Sequence, residues 1–278
     1  DVCLRYDLTV PLARVAAQYP EIPKPFKRYQ IAPVWRAEKP GRGRFREFFQ
    51  CDCDIVGSSS LLYDAECIAL DFAVMQALGV NAIVRFNNRK VLTALARKIE
   101  VTDERQMMTI FRTLDKLHSQ GSDRVRQLLA SEARCNAQQI DTLMQFMTEF
   151  KSFKDTLAML QSVLGTYADE AVAELLRVRE YTMALTGGIL KDDTDPKQAL
   201  EQGFALQLDL TIARGLDYYT GTVYETFITD LPESGSVTQD LTLTSGDYAD
   251  ETIVLGEFKV SAQREGNAKA IVEQKQAL

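Results

Sequence analysis

Apolar and polar positions alternate with a period of two over residues 29–37 and 46–57, and this predicts two strands. The stretch between them, Glu38-Lys39-Pro40-Gly41-Arg42-Gly43-Arg44-Phe45, holds one proline and two glycines and reads as a flexible connection, so the strands are expected to pair antiparallel. Alternation sorts the second strand into a face of Phe48, Gln50, Asp52 and Asp54 and a face of Phe49, Cys51, Cys53 and Ile55. The second face is expected in the core, which would account for both cysteines as packing residues. The polar face has two readings, a solvent face or the floor of a pocket that meets a cationic ligand. The pocket is favoured because carboxylates are costly to bury unpaired and an arginine-rich loop leads into the strand.

Ser58-Ser59-Ser60 caps a predicted helix over 61–78, closed by Gly79, with an apolar stripe through Leu62, Ala65, Ala69, Phe72 and Met75. A strand over 82–86 follows, and Asn87-Asn88 opens a helix over 89–99. From about 95 to 199 the chain turns to Leu, Ala, Gln, Arg and Glu at helical spacing, with no proline between Glu100 and Asp195. This reads as an inserted helical subdomain, with Gly187-Gly188 and Lys191–Pro196 as its exit linker. Strand character returns over 205–213 and 222–229, on either side of Arg214-Gly215-Leu216-Asp217-Tyr218-Tyr219-Thr220-Gly221. Residues 238–278 carry seven acids, four bases and only short apolar patches.

Composition narrows the classes. Of 278 residues, 46% are apolar, which excludes a disordered or disulfide-stapled chain. No apolar run reaches the roughly 18 residues of a membrane span, and no signal-peptide pattern opens the chain, so a cytoplasmic protein is expected. The net charge is −7, yet Lys24–Arg46 holds eight basic residues against one acid, Glu38. Such a cluster suits an anionic partner such as nucleotide phosphates or RNA, or else a solvated basic face. Five cysteines without framework spacing fit a reducing compartment. With a single histidine, His118, at a predicted helix end, no metal site and no histidine-based triad are expected. The opening residues already read as domain interior, and an N-terminal truncation is expected.

Three segments together resemble histidyl-tRNA synthetase, a family of class II aminoacyl-tRNA synthetases. They are Leu4-Arg5-Tyr6-Asp7-Leu8-Thr9-Val10-Pro11-Leu12-Ala13-Arg14; Tyr29 to Glu38 continuing from Arg44 to Gly57, which looks like class II motif 2; and Ala213 to Glu225, which looks like the Arg-Gly-Leu-Asp-Tyr-Tyr signature. The resemblance implies an α+β fold, an antiparallel sheet flanked by helices with an inserted helical subdomain. It divides the chain into a first part of the catalytic core over 1–94, an insertion over 95–199, a second part over 200–237 and a divergent tail over 238–278. It implies a histidine–tRNA ligase that forms histidyl-adenylate from histidine and ATP and passes the histidyl group to tRNA, here as a truncated or incomplete catalytic domain. Mg2+ would accompany ATP, and the complete protein would be a homodimer.

The site residues follow from the same match. Arg36 would hold the α-phosphate and Arg214 would stabilise charge during adenylate formation, both as catalytic residues. Glu38 and Arg44 would join Arg36 on ATP. Asp7, Leu8 and Thr9 form the loop that would receive the histidine α-amino group. Gln50 would contact the amino acid, and Asp54 would meet the imidazole in a pocket lined by Tyr218 and Tyr219. The sequence departs from the family after Val237, where neither its glycine-rich segment nor motif 3 is recognisable, and motif 1 would lie ahead of Asp1. Two alternatives are a histidine-sensing regulatory subunit of ATP phosphoribosyltransferase and a tRNA-sensing module; the first would not need the arginines present here.

Overall fold

The computed structural model describes residues 3–41, 44–147, 152–187, 204–212 and 219–229. All belong to the unit Asp1–Thr242. The predicted strand pair is present as β1 (Phe26–Trp35) and β2 (Glu47–Val56), antiparallel and in register from Phe26↔Val56 to Trp35↔Glu47. The ladder continues past Trp35, with the Arg36 amide donating to the Arg46 carbonyl at 2.8 Å. A helix α1 (Thr9–Gln18) precedes the hairpin, and the segment leading into it lies along β1: the Trp35 amide donates to the Arg5 carbonyl at 2.9 Å and Arg5 Nε to the Pro33 carbonyl at 2.7 Å.

Helix α2 (Leu61–Leu78) starts at Ser60, whose hydroxyl accepts from the Leu62 amide. It stops at Gly79, whose φ of 68° is a left-handed conformation that only glycine adopts cheaply. Its buried stripe is Ala65, Ile68, Phe72 and Met75. This spacing of three and four keeps one side on the core, and Ile68 takes the place expected for Ala69.

The second sheet has the order β4–β3–β5, with β3 (Ala82–Asn88) central, β4 (Phe204–Leu208) parallel to it and β5 (Thr222–Ile228) antiparallel. β3 is buried along almost its whole length, as a central strand covered on both faces should be. β4 is shorter than the predicted 205–213 because Asp209 folds the chain over: its Oδ1 accepts from the Thr211 amide at 2.9 Å, and the Ile212 amide returns to the Asp209 carbonyl.

Among the described residues, six α-helices follow α3 (Arg89–Lys98): α4 (Glu104–Leu114), α5 (Leu117–Gln120), α6 (Ser122–Ser131), α7 (Ala137–Met147), α8 (Phe153–Leu164) and α9 (Asp169–Leu185). Asn88 caps α3 by accepting from the Lys90 amide at 2.9 Å, and Asp103 caps α4 by accepting from the Arg105 and Gln106 amides. One apolar core runs from Ile68 and Phe72 of α2 through Val84 and Phe86 of β3 and the helices to Leu206 and Leu208 of β4. α3 straddles residue 95, the expected start of the insertion. Lys90 ties α3 to α9 through Glu170 and Glu174, each at 2.6 Å. No described helix is long and apolar enough to cross a membrane.

Candidate active site

The hairpin contradicts one expectation. The face of Phe49, Cys51 and Cys53 is exposed, and so are its cross-strand neighbours Tyr29 and Ile31; Phe49 is 69% and Tyr29 66% accessible. Neither cysteine is a core residue. Alternation separates the two faces but does not say which one the rest of the chain covers, and here the covered face is the polar one. The segment before α1 lies on it: the Leu8 side chain is fully buried, and the Leu8 carbonyl accepts from Arg28 Nη2 at 2.8 Å.

Antiparallel register places four cross-strand pairs in a row on that face: Arg28 with Asp54, Gln30 with Asp52, Ala32 with Gln50, and Val34 with Phe48. Arg28 and Asp54 form an ion pair at 2.8 Å, their side chains 12% and 22% accessible. Arg28 also donates to Gln30 Oε1 at 2.8 Å. The cation that the acidic face calls for is therefore supplied by the chain itself. Burial pushes the Asp54 carboxyl above its ordinary pKa, with Arg28 pulling the other way. Asp52 is raised too, first by burial and then by Asp54 and Asp7, against Arg28 and Arg36. Arg28 and Asp52 are the members of this cluster that the motif match passes over. The alternation of the first strand, carried back to residue 28, would have put Arg28 on the face of Val34 and Arg36.

Arg36 continues the row. Its guanidinium lies 4.7 Å from the Tyr6 ring centre and 4.9 Å from that of Phe48, and Nε donates to the Tyr6 carbonyl at 3.4 Å. Two aromatic rings thus hold the plane of a cation whose fork of N–H groups suits a phosphate or carboxylate. Glu38 and Arg44 lie on the connection beyond, 3.8 Å apart and largely exposed, so their mutual attraction is weak. Gln50 keeps a buried Oε1 that accepts no hydrogen bond. An acceptor in that state costs about 1–3 kcal/mol, which a ligand N–H donor would recover.

The other expected residues divide by position. Asp7 Oδ1 accepts from the Val10 amide at 2.9 Å, so its carboxylate already caps the start of α1, and Thr9 is the exposed first residue of that helix. With its side chain buried, Leu8 has only its backbone to offer a ligand. Tyr219 precedes β5, is partly exposed and lies near Tyr224. Arg214 and Tyr218 lie outside the described residues. The structure thus gathers Asp7, Leu8, Arg28, Arg36, Gln50, Asp52 and Asp54 around one covered face. Glu38 and Arg44 stay on the adjoining loop. Among the described residues no group of three or more His, Cys, Asp or Glu side chains could hold a metal ion.

Comparison with known proteins bears on the family and the fold. The family profile described as Histidyl-tRNA synthetase matches residues 1–239. The histidine–tRNA ligase of Rhodopirellula baltica is 39% identical over 239 residues, covering 85% of this chain and 51% of the relative. Among solved structures, histidyl-tRNA synthetase from Nostoc sp. PCC 7120 superposes with a TM-score of 0.66 at 33% identity, over 80% of this chain and 48% of that one. An ATP phosphoribosyltransferase regulatory subunit/histidyl-tRNA synthetase from Bacillus halodurans gives a TM-score of 0.64 at 21% identity, over 82% of this chain and 55% of that one, a likeness of fold. The chain spans about half the length of the curated relatives it matches. With the matching profile, the relative at 39% identity and the α+β fold of a class II catalytic core in agreement, the chain belongs to the histidyl-tRNA synthetase family.

Proposed function

We propose that this chain carries the amino-acid-activating part of a histidine–tRNA ligase, which forms histidyl-adenylate from histidine and ATP and transfers the histidyl group to tRNA. The observation that carries the reading is the covered polar row of the hairpin, in which a ring-clamped Arg36 adjoins an unpartnered Gln50 acceptor and a carboxylate pair.

In this reading the histidine carboxylate attacks the α-phosphorus of ATP in line. The bond from that phosphorus to the β-phosphate oxygen breaks, and pyrophosphate leaves. Negative charge grows on the α-phosphate oxygens, and Arg36 and Arg214 are the catalytic residues that would meet it. Fixed donors aimed at developing charge are worth about 2.7–4 kcal/mol each. Glu38 and Arg44 sit on the loop that would close over ATP. Mg2+ would accompany the triphosphate as its counter-ion.

The amino acid would rest against Asp7, the Leu8 backbone, Thr9 and Gln50. The imidazole would lie between Asp54, Tyr218 and Tyr219. Because Asp54 is already paired with Arg28, its contact with imidazole would share the carboxylate: one oxygen on the guanidinium, the other toward a ring N–H. A tRNA 3′-terminal hydroxyl would then attack the adenylate carbonyl and release AMP. The helices over 95–199 would contact tRNA rather than ATP. A homodimer and a cytoplasmic location complete the proposal.

Histidine-dependent exchange of labelled pyrophosphate into ATP tests it, run on a full-length protein containing these segments and again after Arg36→Ala. Exchange that falls at least a hundredfold in the variant, with histidine binding kept, supports the reading. A wild type that binds histidine but catalyses no exchange would instead favour the histidine-sensing alternative.

A further inference from the structure

The exposed side of β2 opens on a cleft of about 430 Å³ shared with α2 and β5, and three of the cysteines line it: Cys51 and Cys53 from β2 and Cys67 from α2. Two of these are in contact, since the Cys53 and Cys67 thiols share a hydrogen bond. Cys53 is exposed and Cys67 half-buried, so the pair sits at the cleft wall with one sulfur facing water. No residue of the proposed ligase chemistry is a thiol, and the family match leaves this pair without a role. We propose that Cys53 and Cys67 form a peroxide-sensitive dithiol that closes to a disulfide and ties β2 to α2.

The chemistry follows from how the shared hydrogen bond treats its two ends. It brings the Cys53 thiol down to about 7, outweighing burial and the nearby Asp54 and Glu66 carboxylates, with Arg28 helping. It pushes Cys67 well up, in company with burial, Asp64 and Glu66. Cys53 is therefore the thiol that gives up its proton more readily to become the nucleophilic thiolate, and Cys67 holds its proton. The Cys53 thiolate attacks one oxygen of hydrogen peroxide; the O–O bond breaks, and the departing hydroxide takes a proton to become water. Cys53 is left as a sulfenic acid, oxidised by two electrons while the peroxide is reduced by two. The Cys67 sulfur then attacks the Cys53 sulfur, the S–O bond breaks, and the Cys67 proton leaves with the hydroxyl as a second water. The product is one disulfide.

Cys51 is the less suited partner. Burial, Asp52 and Cys53 all raise its thiol. It stands two residues from Cys53 on the same strand, about 6.7 Å along the backbone. That is the upper edge of the roughly 4.4–6.8 Å that disulfides accept between Cα atoms. A Cys53–Cys67 bridge would anchor the stretch of β2 flanked by Asp52 and Asp54. The proposal does not depend on the ligase reading.

The experiment exposes the native 278-residue chain to a few equivalents of hydrogen peroxide, alkylates the remaining thiols and cleaves on the N-terminal side of aspartate. The sequence separates the three cysteines under that cleavage: Cys51 ends one fragment, Asp52-Cys53 is a second and Asp64–Leu70 a third. The expected product is Asp52-Cys53 joined to Asp64–Leu70, abolished by dithiothreitol, with Cys3, Cys51 and Cys135 alkylated. In Cys67→Ser, dimedone should capture a sulfenic acid on Cys53. A bridge from Cys51, or Cys53 and Cys67 both recovered alkylated once the peroxide is consumed, would overturn the proposal. The wild-type fragment map decides even if the variant does not fold.

Discussion

Replacing Arg28 by methionine should cost far more stability than replacing Asp54 by asparagine, although the two side chains form one ion pair. Arg28 has three partners: Asp54 at 2.8 Å, Gln30 Oε1 at 2.8 Å and the Leu8 carbonyl at 2.8 Å. Its loss strands a carboxylate whose side chain is 22% accessible and unpairs a carbonyl beneath the fully buried Leu8. Breaking a fully buried pair from one side costs about 3–5 kcal/mol. The residual exposure of this pair lowers the expectation to about 3 kcal/mol. Asp54 is different because burial already pushes its carboxyl toward the neutral form. Asparagine keeps the shape and a carbonyl oxygen for Arg28, so about 1 kcal/mol is expected. In the double variant no carboxylate is stranded, and the cost should fall short of the sum by about 1–2 kcal/mol. Urea unfolding at pH 7 measures all four corners of the cycle, provided the slope against denaturant is unchanged. Additivity within about 0.3 kcal/mol, or an Asp54→Asn cost equal to that of Arg28→Met, would refute the reasoning.

Asp52 carries a raised pKa, so its ionisation opposes folding: the folded state holds the proton more tightly, and that advantage is lost as pH rises through the folded-state value. Asp52→Asn should therefore raise Tm at pH 7, with the gain disappearing as pH falls below the ordinary carboxylate range; a gain that persists at pH 3 would contradict the cause. Phe111, fully buried among the helices, should cost about 3–5 kcal/mol as alanine by denaturant unfolding, and a loss under 1 kcal/mol would show that it lies outside the cooperative core. Asn88→Ala removes both the cap of α3 and the contact to Glu174 at 2.8 Å, and should cost about 1–2 kcal/mol in the same assay, with Asn88→Asp retaining the cap.

The strand pair, α2 with its serine cap and glycine stop, and the Asn-capped α3 were readable because each rests on local chemistry within a few residues. The faces of the hairpin were also readable, but not their environment. Whether Cys53 or Asp54 lies inward depends on where residues 4–8 run, and nothing within the strand encodes that. Arg28 escaped notice for a related reason: its role depends on a partner 26 positions away, found only through the register of the ladder. Arg36, Gln50 and Asp54 were found by motif, and the structure adds what a motif omits, namely that Arg36 is clamped by rings and Asp54 is already partnered. The end of β4 at Leu208 was missed because the apolar run continues through Leu210 and Ile212, while Asp209 turns the backbone.

The parallel pairing of β3 with β4 has a consequence for how the chain is made. β3 ends at Asn88, and its two neighbours in the sheet begin at Phe204 and Thr222, more than a hundred residues later. A ribosome adding about 5–20 residues per second takes roughly 6–23 s to cover the first of those gaps. Throughout that interval a strand whose Ala82, Ile83, Val84 and Phe86 are all destined for burial has neither edge satisfied. The helices α3 to α9 emerge meanwhile, and pairs close in sequence, such as α6 with α7 and α8 with α9, can pack as soon as they are made. They give β3 a surface to rest on before its partners exist. The helical block thus acts as an internal holding platform during synthesis, and shortening it would bring the two strands together sooner while leaving β3 unsheltered, a trade readable as nascent-chain aggregation against elongation time.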